Sequence, residues 1–250
     1  MRPVRCPLVL VVVSVFVSAI ASAQPAERRL NPLEMQVACG PPASLDVPAA
    51  PLRIAGSQDP VNRFVFGTGE LLVLDGGSAK GVQLAQQFVI RHPRKATGDH
   101  DKVVAVQTAG WLSIVAVNEK TAIAKVDHFC DAITIGDYVE PFLAPSIAEG
   151  TDRDVASGEL DFSTLGRILT GPEDTNSGAA GGLMLVDPGK IESLQPGARF
   201  AVYRDPHTAG LPLASVGEGV VLSVGKSLVL TKITRSRDAI VTGDYVVARK

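Results

Sequence analysis

Asp99-His100-Asp101 sets an imidazole between two carboxylates, the donor types that hold a divalent cation or move a proton. Three neighbouring residues seldom aim at one point, so the run reads first as a solvated loop. Gly225-Lys226-Ser227 has the tail of a phosphate-cradling loop, but that motif needs a glycine where Val220 stands. Gly76-Gly77-Ser78-Ala79-Lys80-Gly81 puts a serine among glycines without the Gly-x-Ser-x-Gly spacing of a nucleophile turn, and Lys190 replaces Ser78 in a second copy of the segment. The four histidines, His92, His100, His128 and His207, share no spacing that would make one a general base. No catalytic, cofactor-binding or metal-binding residue is therefore assigned, and neither enzymatic activity nor a cofactor is expected.

Two other carboxylates recur. Asp131-Ala132-Ile133-Thr134-Ile135-Gly136-Asp137-Tyr138-Val139 returns as Asp238-Ala239-Ile240-Val241-Thr242-Gly243-Asp244-Tyr245-Val246. An aspartate directly after a glycine is what a turn uses to bond its own backbone, so Gly136, Asp137, Gly243 and Asp244 are expected to be structural. Trp111, the one tryptophan, stands opposite Glu218 in the second copy and is read as core before it is read as a ligand platform.

The elements that must position these residues come in two copies. Gly110–Val139 and Gly217–Val246 share 10 of 30 positions at a constant offset of 107, where unrelated segments share about two. Upstream, an offset of 112 pairs Asp75 with Asp187, Gln83 with Gln195 and Phe88 with Phe200. The first copy carries five extra residues, placed in a surface loop around Arg94–Lys102. Each copy alternates short apolar runs with glycine turns, which predicts five or six strands and no amphipathic helix. The expected fold is mainly β, two tandem small barrels from an internal duplication, because closure removes exposed strand edges. The boundaries drawn are 24–64 for an extended Pro-rich leader lying on the first barrel, 65–145 for the first barrel, 146–180 for a connector and 181–250 for the second. Leu160, Phe162, Leu165, Ile168 and Leu169 form an apolar patch in the connector that is expected to dock on a barrel. Phe88 and Phe200 are the expected core anchors.

Residues 1–23 read as a signal peptide: Arg2 and Arg5, an apolar run from Leu8 to Ile20, then Ala21-Ser22-Ala23. The run is shorter than the roughly 20 residues of a membrane-spanning helix, and no later one matches it. Cleavage removes Arg2, Arg5 and no acid, so the net charge moves from −2 to −4. That balance excludes the basic footprint of a nucleic-acid binder. It also removes Cys6 and leaves Cys39 and Cys130, which an oxidising compartment permits to bridge, although sequence alone leaves their geometry open.

With the copies aligned, the Asp-x-Gly turn, the run Gln195–Arg204 (Gln-Pro-Gly-Ala-Arg-Phe-Ala-Val-Tyr-Arg) and the closing Asp-Ala-Ile-x-x-Gly-Asp-Tyr-Val resemble a small β-barrel of bacterial envelope proteins. The module is similar to the C-terminal domain of the flagellar assembly protein T, and to barrels found beside LysM modules in exported bacterial proteins. The likeness is clearer in the second copy, since the first has Leu84-Ala85 in place of Pro196-Gly197, and no LysM segment is visible. The resemblance implies a non-catalytic periplasmic or cell-surface module used for assembly or binding. The expected partner is an envelope protein; peptidoglycan or another glycan is the alternative and a hydrolase the third reading.

Overall fold

In the computed structural model, which describes residues 29–61, 63–96, 99–151 and 158–250, the strands close into two antiparallel six-stranded barrels. Residues 1–23, read above as a signal peptide, lie outside the described part, and among the described residues no helix is long and apolar enough to cross a membrane. Barrel 1 is built from β1 (Leu52–Ser57), β2 (Leu71–Leu74), β3 (Gln87–Ala96), β4 (Asp99–Val117), β5 (Ala122–Phe129) and β6 (Tyr138–Pro141), in the order β1-β2-β5-β4-β3-β6. Barrel 2 is built from β7 (Leu160–Thr170), β9 (Leu183–Asp187), β10 (Arg199–Arg204), β11 (Ala214–Val224), β12 (Val229–Ser236) and β14 (Tyr245–Arg249), in the order β10-β11-β12-β9-β7-β14. A separate short pair, β8 (Ser177–Gly178) with β13 (Ile240–Val241), caps barrel 2, and a single bridge between Phe66 and Ile133 takes its place in barrel 1.

The first strand of each barrel falls outside the boundaries drawn from sequence. β1 comes from the stretch read as leader and pairs with both β2 and β6; β7 comes from the connector and pairs with both β9 and β14. Without them each sheet would keep two open edges, and closure is what the fold requires. Pro51 and Pro60 flank β1 without interrupting it, which is where proline is tolerated. The connector's apolar patch is likewise a barrel strand, with Ile168 fully buried in the core. The duplication thus reaches further than identity does: Gly136 N–H donates to the Ile54 carbonyl in barrel 1 (2.9 Å) as Gly243 N–H does to Ile168 in barrel 2 (2.8 Å).

The five-residue insertion is a paired hairpin rather than a loop. β3 and β4 run on together, Arg94 opposite Ala105 and Lys95 opposite Val103, and the side chains of Asp99, His100 and Asp101 lie outside the described part.

Alternation fills both interiors. Ile54, Leu72, Leu74, Phe88, Leu112 and Ile114 meet in barrel 1; Ile168, Met184, Val186, Phe200, Val221 and Val229 meet in barrel 2. Phe88 and Phe200 are both buried there, as expected. β2 shows the simple pattern, with Leu72 and Leu74 buried and Leu71 partly exposed, whereas Leu183 to Val186 of β9 are all buried. A strand apolar on both faces needs a second cover. The leader supplies it: Val37, Ala43 and Leu45 pack on Leu183, Leu185, Val220, Leu222, Leu228 and Leu230 on the outside of barrel 2.

The leader therefore touches both barrels, with Cys39 and Gly40 against barrel 1 and Val37, Ala43 and Leu45 over barrel 2, and it is not wholly extended. It begins with α1 (Pro32–Cys39), started by an Asn31 and Glu34 capping box with Pro32 in the first turn, signals that set a short helix without amphipathic periodicity. At Gly225 the approach is so close that a Cβ would lie 1.9 Å from the Ala43 carbonyl oxygen, so the Gly-Lys-Ser turn is a seat for the leader.

Candidate functional site

The recurring aspartates are buried at the turn that leads into β6 and β14. Asp137 accepts the Thr134 N–H at 2.8 Å, and Asp244 accepts that of Val241 at 2.8 Å, so both brace their own turn as the Gly-Asp pattern predicts. Each also faces a nitrogen-bearing side chain from the neighbouring strand. In barrel 1 it is His92, whose Nδ1 lies 2.6 Å from Asp137 Oδ1. In barrel 2 it is Arg204, which donates from Nε and Nη2 to the two Asp244 oxygens, both at 2.8 Å, and from Nη1 to Asp238 at 2.9 Å. The hydrogen bond to Asp137 raises the His92 pKa, with burial opposing it and Arg94 lowering it slightly; the bonds to Asp244 raise that of Arg204. Both contacts are structural, and the signal for them in the sequence was the alignment of His92 with Arg204.

Asp75 accepts the Arg53 N–H at 2.8 Å and Asp187 accepts the Gly189 N–H at 2.9 Å, so the other aspartate pair also serves backbone. Ser78 is no nucleophile turn either. Its N–H donates to the Asn118 carbonyl at 2.9 Å, and a Cβ on Gly77 would meet that same oxygen at 2.0 Å, so the glycines let this turn press on the β4–β5 hairpin. His207 stands exposed beside Asp205.

Residues from four distant parts of the chain meet where the leader crosses barrel 1. Cys39, at the end of α1, is bridged to Cys130, just beyond β5, with Cα atoms 5.5 Å apart, inside the range that a disulfide spans. At the next residue the Gly40 carbonyl accepts the buried Thr108 hydroxyl at 2.6 Å. Thr108 in turn is bonded by Arg91, which pairs with Glu140 at 3.4 Å; burial lowers the Arg91 pKa and Glu140 opposes that. Beside the bridge, His128 stacks on Trp111 with centroids 4.4 Å apart, and Phe142 meets the indole in a tilted contact at 5.3 Å. Trp111 is thus buried on the outer wall of barrel 1 and is not part of its core cluster. Sequence reasoning missed this cluster because its members come from β4, β5, the segment after β6 and the leader.

An open groove of about 740 Å³ runs between Asn31–Gln36 and residues 147–151, with Glu34, Glu149 and Lys232 as its charged groups. Its size would suit a ligand, but among the described residues no nucleophile paired with a base lines it.

A scan against protein-family models and a search of curated proteins both find no match to this chain.

Proposed function

We propose that this chain is an exported bacterial envelope protein that acts, without catalysis, as an interaction or assembly module, as its resemblance to envelope barrels implies. The observation that carries the reading is an apolar display on barrel 1 that barrel 2 lacks. Phe64 and Val65 precede, and Ile135 follows, the Phe66–Ile133 bridge, and they are 81%, 52% and 54% exposed. The matching positions in barrel 2 are Asn176, Ser177 and Thr242, polar residues that close the cap among themselves through a Thr242 N–H to Asn176 bond of 2.9 Å. A fold that carries polar side chains at these positions in one copy and exposed apolar ones in the other has reason to meet a partner there. Two further features support the reading: the disulfide suits an oxidising compartment, and both barrel interiors are filled with side chains, which puts recognition on the outer surface.

Cross-linking in the native envelope through a photoreactive residue at position 64 tests this. A discrete adduct that the Ile135→Ser change abolishes is the expected result. Saturable sedimentation of the purified chain with peptidoglycan, with no protein adduct, would instead make it a glycan binder.

A further inference from the structure

Cys39, His128 and Cys130 each offer a donor atom, and the three donors lie within 4.8 Å of one another. Two thiolates and an imidazole are the ligands of choice for a d10 cation such as Zn2+, with metal–sulfur bonds near 2.3 Å and metal–nitrogen bonds near 2.0 Å. Tetrahedral bonds of those lengths put donors about 3.6 Å apart. The three groups are already within about an ångström of that spacing, apart from the two sulfurs, which the disulfide holds together and its reduction would release. His128 is also restrained, since its ring lies against Trp111 at 4.4 Å with an interplanar angle of 19°.

We infer that the reduced junction is a Cys2His metal site, so that the leader can be fastened to barrel 1 either by a disulfide or by a d10 cation. Room for a fourth ligand is present. A cavity of about 50 Å³, large enough for a water, adjoins both cysteines and is bordered by Gln107, whose buried Nε2 has no hydrogen-bond partner. A metal-bound water there would accept that N–H. Barrel 2 cannot do the same, because Arg235 and Arg237 stand where His128 and Cys130 do.

The change of state balances with a dithiol as reductant. Thiolate exchange passes two electrons to the Cys39–Cys130 bond, the dithiol leaves as its own disulfide, and the cation displaces the protons of the two freed thiols. The cation itself keeps its oxidation state. Both fastenings hold the same two chain segments, so the leader's cover over Leu183 and Leu185 survives reduction when metal is present.

The test uses the whole chain, oxidised or reduced with a phosphine that is then removed, and Zn2+ alone as ligand. One Zn2+ per reduced chain and none per oxidised chain is expected. His128→Arg, which installs the residue of barrel 2, should weaken binding about tenfold or more while far-UV circular dichroism stays unchanged. Co2+ on the reduced wild-type chain gives a reading that needs no variant: intense thiolate charge-transfer bands with tetrahedral d–d bands are expected. Octahedral Co2+ spectra, equal binding by the oxidised chain, or Zn2+ affinity indifferent to His128→Arg would each overturn the site.

Discussion

At three matching positions the two barrels put opposite chemistry on the same wall. Barrel 1 has Trp111 with His128 stacked on it and Phe142 tilted against it; barrel 2 has Glu218, Arg235 and Arg249, with Glu218 bonded to Arg249 at 2.7 Å and 4.0 Å from Arg235. The backbone under both is the same antiparallel pairing, so the barrel does not dictate what stands on its outside. What differs is the neighbour. In barrel 1 this wall meets the disulfide and the leader, where an aromatic cluster stays dry beside the bridge; in barrel 2 the wall carries ions that tolerate water. The pairing beneath the turn aspartates differs likewise, His92 against Arg204.

The largest effects should come from the shared cores. Phe88→Ala and Phe200→Ala should each cost about 3–5 kcal/mol in denaturant unfolding, with Phe200 at the upper end. Phe200 lies over Gly219, where a Cβ would touch its ring at 2.2 Å, while Phe88 faces Leu112, which can move into part of the vacated space. A larger loss for Phe88→Ala would refute that explanation.

Next come the buried aspartates. Asp244→Asn should cost about 3 kcal/mol and Asp137→Asn about 2 kcal/mol, because Arg204 binds its partner with two donors and His92 with one. Equal losses in thermal melts would show that the turn bonds, not the His92 and Arg204 contacts, carry the energy.

The outer walls should separate by salt. Trp111→Ala should cost about 2 kcal/mol at any ionic strength, whereas the cost of Glu218→Ala, about 1 kcal/mol in dilute buffer, should fall in part in 1 M salt, where the exposed Arg235 at 4.0 Å is screened and the more buried Arg249 at 2.7 Å much less. A salt-dependent Trp111 effect would contradict the division.

A pH scan should distinguish His92 from Arg204. The folded His92 pKa is raised, so its pairing contributes fully below the unfolded value of about 6.5 and is lost as pH climbs through the raised folded value. Asp137, Asp131 and Arg94 are the charges that face it. Barrel 1, reported by the fluorescence of Trp111, should weaken over that window, and His92→Arg should flatten the profile; a wild-type profile already flat there would remove His92 from the account.

The smallest effect is backbone strain. Ala85 has φ 62° where barrel 2 has Gly197 at φ 87°, and both N–H groups bond the facing strand at 2.9 Å. Ala85→Gly should stabilise barrel 1 by about 0.5 kcal/mol, since relief of the left-handed conformation slightly exceeds the glycine's entropy. A loss of stability would mean that the strain is absorbed elsewhere.

The sequence by itself determined the duplication, the closed mainly β fold, the two phenylalanine anchors and the turn role of Gly136-Asp137 and Gly243-Asp244. Those features are local or periodic: alternation, turn chemistry and self-similarity are all carried by residues near one another in the chain. Tertiary structure alone decided which strand closes each barrel, because β1 and β7 pair with segments on both sides and share little identity with each other. It also decided where the leader lies, since the apolar outer faces of β9, β11 and β12 become one surface only when the barrel brings those strands together. The junction of Cys39, Thr108, Trp111, His128 and Cys130 depends on the same long-range closure, and no spacing in the chain could have announced it.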